Sequence, residues 1–247
     1  MTVDASPFDL AVDSRAAALC LHGLTGTPYE VRPIAEALAV RGVRAIGPSL
    51  PGHDTSLRAL AATTCEQWLE SARAHHLALR ARHEVVFAVG VSMGGLLSLA
   101  LATEEQVDAL VVIGTPLRFA RRVRWLVPWL KRVRPFLEKR GGSDIRDDEA
   151  RARHPGYSEM PLASVHELLR LQRRVESGLE RVTAPILIAH GAHDRTAHPG
   201  DAQLIHRLVS SPCKKTLILE DSAHVCPVDC DGPALATAAA EFLTRGM

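Results

Sequence analysis

The stretch "VVFAVGVSMGGLLSLA", residues 85–100, changes structural type halfway. Val85 to Val91 is apolar and rich in β-branched residues, the composition of a buried strand. Leu96 to Ala100 is built from helix formers. Between them, Gly90-Val91-Ser92-Met93-Gly94 has the pattern G-x-S-x-G. A serine on so tight a strand-to-helix turn takes a strained backbone conformation and presents its Oγ above the sheet edge. Side chains at 90 or 94 would collide with the adjoining strand or helix, so glycine stands at both. The following helix aims unpaired N–H groups and a positive dipole end at the same point. Ser92 is therefore the candidate nucleophile.

A serine hydroxyl needs a base, and the base needs a group to orient it. Both are expected on loops at the carboxyl ends of later parallel strands. The run Ile186–Ala189 is followed by "HGAHDRTAHP", which supplies Asp194. The run Thr216–Leu219 is followed by "EDSAHVCP", which supplies His224. His190 and His193 come too early in the strand order to be the base. Asp221 follows the same strand as His224, only three residues away, so Asp194 is preferred as the acid. An oxyanion hole is expected from "LCLHGLTGTP", residues 19–28, where Gly23 turns the chain so that the Leu24 N–H faces the cavity. The second donor is the N–H of Met93. His22 reads as a brace for this loop rather than a proton carrier.

Working outward, short apolar runs read as buried strands at Ala16–Leu21, Val43–Ile46, Val85–Val91, Ala109–Ile113, Ile186–Ala189 and Thr216–Leu219. Most are followed by a turn and a helical pattern, which indicates a mostly parallel sheet covered on both faces. Phe8–Val12 is a candidate edge strand. "TPYE" at 27–30 and "TTCE" at 63–66 read as capping boxes at helix starts. One stretch, about Leu117 to Arg181, breaks the alternation and reads as helices only. The expected organisation is a core of residues 1–116 and 182–247 with a helical insertion at 117–181. The first part of the insertion, "RFARRVRWLVPWLKRVRPFLEKR", holds nine Lys/Arg against Glu138 alone. Trp125, Leu126, Trp129, Leu130 and Val133 share one helical face there, and Pro128 is expected to kink or restart the helix.

Composition bounds the function. The chain has 247 residues, 47% hydrophobic and 23% charged, as in a soluble globular protein. A net charge of +1 argues against nucleic acid as a partner. The five cysteines, Cys20, Cys65, Cys213, Cys226 and Cys230, are odd in number and scattered, unlike a disulfide framework. His224, Cys226 and Cys230 cluster within seven residues but lack the second pair of ligands of a zinc site. "MTVDASPFDLAVD" has no basic start before an apolar stretch, unlike a signal peptide. No apolar run approaches the roughly 18 residues of a membrane span. A cytoplasmic location is the expectation.

Taken together, the chain resembles the α/β-hydrolase superfamily, specifically small bacterial carboxylesterases and monoacylglycerol lipases. "LHGLTGTPYEVRPIAEALAVRGV" looks like that family's oxyanion loop and first helix. "PSLPGHDTS" resembles its Pro-x-x-x-Gly-His-Gly loop, with Asp54 in place of the last glycine. "TTCEQWLESA" resembles its Thr-Thr-x-x-x-Trp helix start, and "GVSMGG" is the elbow. The resemblance implies Ser92, Asp194 and His224 as the triad and Leu24 and Met93 as oxyanion donors. It also implies an α/β-hydrolase fold with a shortened N-terminal edge and the helical insertion as a cap after the sixth-strand position. The acid loop departs from the family in reading His-Asp-Arg-Thr-Ala where a valine pair often follows the Asp.

The expected chemistry is two-step cleavage of a carboxylic ester, monoacylglycerol or a short-to-medium acyl ester, with no metal or organic cofactor. The pocket is expected to include Trp125, Leu126, Trp129 and Val225. The basic cap could instead pack on the core or dock weakly on a lipid surface. A polar reader of the leaving alcohol is sought in "GGSDIRDDE", residues 141–149. Thioester cleavage, amide cleavage or acyl transfer would use the same site, and a non-enzymatic ligand-binding scaffold would be marked by a lost triad member. Monomer and homodimer both remain open.

Overall fold

A computed structural model describes residues 3–245; Met1, Thr2, Gly246 and Met247, at the ends of the two core segments, lie outside the described residues. The strands are β1 (Phe8–Leu10), β2 (Ala16–Leu21), β3 (Arg44–Gly47), β4 (Val85–Val91), β5 (Ala109–Ile113), β6 (Phe136–Glu138), β7 (Glu159–Pro161), β8 (Ile186–Gly191) and β9 (Lys214–Leu219). The helices are α1 (Arg32–Val40), α2 (Leu57–Ala62), α3 (Cys65–Arg80), α4 (Met93–Glu104), α5 (Arg121–Val133), α6 (Asp148–Arg153), α7 (Leu162–Glu176), α8 (Gly200–Leu208) and α9 (Gly232–Leu243).

Seven strands form one sheet in the order β1-β3-β2-β4-β5-β8-β9. Only the edge pair β1–β3 is antiparallel. The central strands are apolar at every position because both faces are buried. In β2, Ala17, Leu19 and Leu21 face a core shared with Trp68 of α3, Leu96 of α4 and Leu171 of α7. The alternate residues Ala16, Ala18 and Cys20 face Ile34 and Leu38 of α1 and Leu235 and Ala239 of α9. The fold is that of an α/β hydrolase.

The chain between neighbouring strands β5 and β8 holds α5, α6 and α7, and also the two-stranded antiparallel ribbon β6–β7. The stretch is therefore not helices only. Each ribbon strand is three residues long, too short for an alternating pattern to declare itself. Helix α5 runs through Pro128 without restarting. Two capping expectations also change. The box before α3 is Thr64 with Gln67, one residue later than "TTCE". Thr27 makes no cap bond, and Pro28 instead opens a short 3₁₀ turn, Pro28–Val31. Glu30 in that turn is buried, with its carboxylate committed elsewhere.

Candidate active site

Four loops at the carboxyl ends of β2, β4, β8 and β9 meet above the sheet. Ser92 follows β4 and adopts φ 54°, ψ −113°, the left-handed region that a non-glycine residue occupies only under constraint. Its N–H donates to the Ile113 carbonyl at 2.8 Å, and its own carbonyl accepts from Leu96 in the first turn of α4. A Cβ on residue 90 would lie 2.1 Å from the Gly94 carbonyl oxygen; one on residue 94 would lie 2.0 Å from that of Leu21. Both obstacles are backbone, so no side-chain rotation relieves them.

Asp194 and His224, on the β8 and β9 loops, are in direct contact. His224 Nδ1 donates to Asp194 Oδ2 at 2.8 Å, which leaves Nε2 as the ring nitrogen available to a substrate. Asp194 Oδ1 accepts from the N–H groups of Thr196 and Ala197, at 2.8 and 2.7 Å. Burial alone would push this carboxyl up, but the His224 charge and these hydrogen bonds outweigh it and hold Asp194 well below the usual carboxylate range. Burial likewise pushes His224 down, and the Asp194 carboxylate more than reverses this, so the imidazole titrates above its ordinary value. His190 Nε2 also lies 2.9 Å from Asp194 Oδ2, but poorly aligned for a hydrogen bond. Asp221 is exposed and pairs with Arg146 at 3.4 Å.

The loop after β2 carries Gly23 and Leu24. The N–H of Leu24 and that of Met93, first residue of α4, donate to no protein acceptor among the described residues. His22 is fully buried: Nδ1 donates to the Gly23 carbonyl at 2.9 Å and Nε2 accepts from the Leu50 N–H at 3.1 Å. Its ring meets that of His53 edge-on at 4.8 Å, and burial pushes His53 down to about 3. Sequence reasoning passed over Glu30, whose Oε2 accepts from the Gly23 N–H at 2.8 Å. Absorbing it into a helix cap hid it; a lone acid inside an otherwise apolar turn was the available signal.

Ser92, His224, Leu24, Gly23 and Val225 line one cavity of about 280 Å³. Phe119, Met160, Val165 and Leu168 supply its apolar wall, and Lys139, Ser143 and Asp144 its polar one. Met93, His22, Gly90 and Gly94 lie outside its lining. Trp125, Leu126 and Trp129 do not line it either, contrary to expectation. Trp125 is 78% and Trp129 66% exposed, because α5 turns Val127 inward onto Leu162 and Leu169. The pocket face of the inserted segment comes instead from Phe119 before α5, the loop after β6, Met160 of β7, and α7.

The family model described as serine aminopeptidase, S33 (Hydrolase_4) matches residues 12–231. The chain belongs to this α/β-hydrolase family. It is 31% identical to the thermostable monoacylglycerol lipase of Bacillus sp. (strain H-257), over 98% of this chain and 95% of that one. It is 24% identical to the carboxylesterase of Bacillus subtilis (strain 168), over 98% of each chain. Among solved structures, one reported for the metagenome-derived lipolytic enzymes LipS and LipT superposes with a TM-score of 0.90 at 29% identity, covering 97% of both chains. A monoacylglycerol lipase from Paleococcus ferrophilus gives 0.80 at 19% identity, over 98% of both, a likeness of fold. The chain is a serine hydrolase of the esterase and lipase type.

In this Hydrolase_4 member, residues 143–147 of the inserted segment are stitched to the site loops. Asp144 accepts from the Arg195 N–H at 2.9 Å and from Thr196 Oγ1 at 3.0 Å, and its carbonyl accepts from the His224 N–H at 3.0 Å. Asp229 accepts from the N–H groups of Arg146, Asp147 and Ala223. The carboxylate of Asp144 is thus engaged by the acid loop rather than turned to a substrate hydroxyl. Among the described residues, no helix is long and apolar enough to cross a membrane.

Proposed function

We propose that this chain hydrolyses carboxylic esters, monoacylglycerols or other short-to-medium acyl esters, with Ser92 as nucleophile, His224 as general base and acid, and Asp194 orienting the imidazole. The observation that carries this is His224, hydrogen-bonded to Asp194, lining one cavity with a serine on a positive-φ elbow. His224 Nε2 takes the Ser92 proton as Oγ adds to the ester carbonyl carbon. The resulting oxyanion is held by the N–H groups of Leu24 and Met93. The carbonyl re-forms, the C–O bond to the alcohol breaks, and His224 gives its proton to that oxygen. Water then attacks the acyl-enzyme, losing a proton to the same imidazole, and the acid leaves with Ser92 restored. Asp194 stays ionised throughout. Residues 117–181 act as a cap that excludes water from this step, and a cavity at the small end of ligand pockets suits a short acyl chain better than a long one.

A panel of p-nitrophenyl esters of rising chain length, with monoacylglycerol, acyl-CoA and an aminoacyl anilide alongside, tests the substrate class. Ester turnover that survives Ser92→Ala would remove the nucleophile assignment. Anilide or thioester turnover exceeding ester turnover would move the reaction to another acyl group.

The outer face of α5 supports a second element of function, contact with an anionic lipid surface that supplies the substrate. Trp125, Leu126, Trp129, Leu130 and Val133 are all exposed on it. The flanking Arg121, Arg122, Arg124, Arg132 and Arg134 have no ion-pair partner among the described residues, and α5 contains no acid. Two copies meeting here would oppose these charges, whereas an anionic bilayer would neutralise them. Co-sedimentation with phosphatidylglycerol vesicles should exceed that with phosphatidylcholine and fall in Trp125→Ser/Trp129→Ser. Equal binding of the wild-type chain to both vesicles, undiminished binding of the variant to phosphatidylglycerol, or a salt-insensitive dimer through this face would refute it.

A further inference from the structure

The oxyanion loop is gripped from both sides. Beneath it lies Glu30, 4% exposed, whose Oε2 accepts from the Gly23 N–H at 2.8 Å. Its carboxylate fills the inside of the loop so closely that a Cβ on Gly26 would lie 2.1 Å from Oε1. Oε1 in turn accepts from His154 Nε2 at 3.1 Å, across 124 residues of sequence. His154 lies in the inserted segment just after α6, and its side chain is 3% exposed. Its Nδ1 accepts from the Gly156 N–H at 3.2 Å, which fixes Nε2 as the nitrogen that donates to Glu30. Two residues on, the Tyr157 N–H donates to the Thr25 carbonyl at 2.9 Å. Thr25 itself sits at φ 64°, so the loop that presents the Leu24 N–H is held in a conformation it would not keep unaided.

We infer that Glu30 and His154 are positioning residues that couple the seating of the inserted segment to the geometry of the oxyanion loop. When residues 154–157 are seated, Glu30 is held by His154 and fixes the Gly23 amide, and Thr25 is tied by Tyr157. The next amide along, Leu24, is then aimed at the cavity. When the segment lifts, Glu30 loses its donor and the loop loses both outer tethers, so oxyanion stabilisation is complete only over a closed site. A buried carboxylate left with one donor fewer cannot hold the same place. Neither residue touches the substrate's reacting atoms; both act through the backbone at 23–25. The inference rests on the assignment of Leu24 as an oxyanion donor.

The test compares His154→Leu, which removes the donor, with His154→Gln, whose amide can still donate to Glu30. Active sites are titrated with a fluorophosphonate so that rates refer to folded, reactive enzyme. Hydrogen exchange of the peptide spanning residues 22–27 reads the loop directly, independent of turnover. His154→Leu should lower kcat per titrated site at least about tenfold, with KM changed less than about threefold, and should speed exchange in that peptide. His154→Gln should restore both. Unchanged exchange, unchanged kcat per site, or a loss confined to the titratable fraction would each overturn the coupling. A wild-type chain that ignores the fluorophosphonate would instead overturn the hydrolase assignment of Ser92, while the exchange comparison would still decide whether His154 holds the loop.

Discussion

His224 and Asp194 shift in opposite directions from one contact, and this sets how activity depends on pH. General-base catalysis needs the imidazole unprotonated. Because Asp194 raises His224 above its ordinary value of 6.5, kcat/KM should climb with pH through a midpoint above 6.5. Asp194→Asn should move that midpoint down and cut kcat by roughly a thousandfold or more, since the amide no longer favours the productive tautomer. A pH–rate profile of both proteins checks the sign. At the elbow, Gly94→Ala places a methyl 2.0 Å from the Leu21 carbonyl oxygen. Strain of this kind costs about 1–3 kcal/mol or more, visible as a lower urea midpoint. Lys139 differs again: it lines the cavity half-buried, and burial lowers its affinity for a proton. With Glu30 and Asp144 engaged by the protein and Ser143 Oγ 2.9 Å from His154 Nδ1, Lys139 is the charged group left to meet a substrate hydroxyl. Lys139→Leu should raise KM for monoacylglycerol severalfold while sparing small p-nitrophenyl esters. Ser92, Asp194 and His224 were legible as candidates because each stands on the loop at the carboxyl end of a strand. His154 and Lys139 were not, since both lie in the inserted segment and only its fold brings them to Glu30 and to the cavity; Glu30 was hidden by its place in an apparent helix cap.

Elements were legible in proportion to how continuous their burial is. The strands β2, β4 and β5 match their apolar runs at both ends, whereas β3 is displaced by one residue and β8 runs two further, through buried His190 and Gly191, which lack the apolar side chains that marked the run. The ribbon β6–β7 carried no signal because its partly exposed strands pair only with each other. Helix α5 illustrates how an apolar stripe misleads. The five large residues at helical spacing suggested an inward face, yet the small, inconspicuous Val127 is the buried one. Pro128 inside α5 leaves the Arg124 carbonyl without its helical donor. Pro128→Ala should restore that bond and raise α5 stability by about 1–3 kcal/mol, read as slower amide exchange at the neighbouring residues.

At the scale of the whole molecule, the inserted segment and the sheet meet through buried carboxylates that accept backbone or imidazole N–H groups. Glu30 takes Gly23 and His154, Asp229 takes Arg146, Asp147 and Ala223, and Asp201 takes Leu117 and Arg118. For Glu30, burial pushes the carboxyl up, but the His154 and Gly23 contacts prevail and hold it at about 2 against an ordinary 4.5. Burial pushes Asp229 up as well, and the N–H groups of Ala223, Arg146, Asp147 and Cys230 outweigh it and hold it down. A carboxyl whose folded value lies below its unfolded one stabilises the fold at pH above the unfolded value. That contribution fades as pH falls toward the folded value. For Glu30 the window runs from 4.5 down to about 2, and the linked stability is about 3 kcal/mol. Wild-type unfolding free energy should therefore drop steeply from about pH 5 to about pH 2, on top of the fall that buried His53, held at about 3, begins below its ordinary 6.5. Glu30→Gln removes one titrating site, so its urea midpoint should be lower than wild type at neutral pH and converge on it in acid. Parallel curves at every pH would mean that the carboxylate carries no such linkage. Acid should also loosen residues 143–157 of the segment before the sheet melts, because that stretch reaches the core largely through carboxylates, while α7 of the same segment shares the sheet's apolar core. Amide exchange in the peptide spanning residues 143–157 against circular dichroism of the core, followed down the same titration, would then show two transitions, whereas a single coincident one would make joint and core a single cooperative unit.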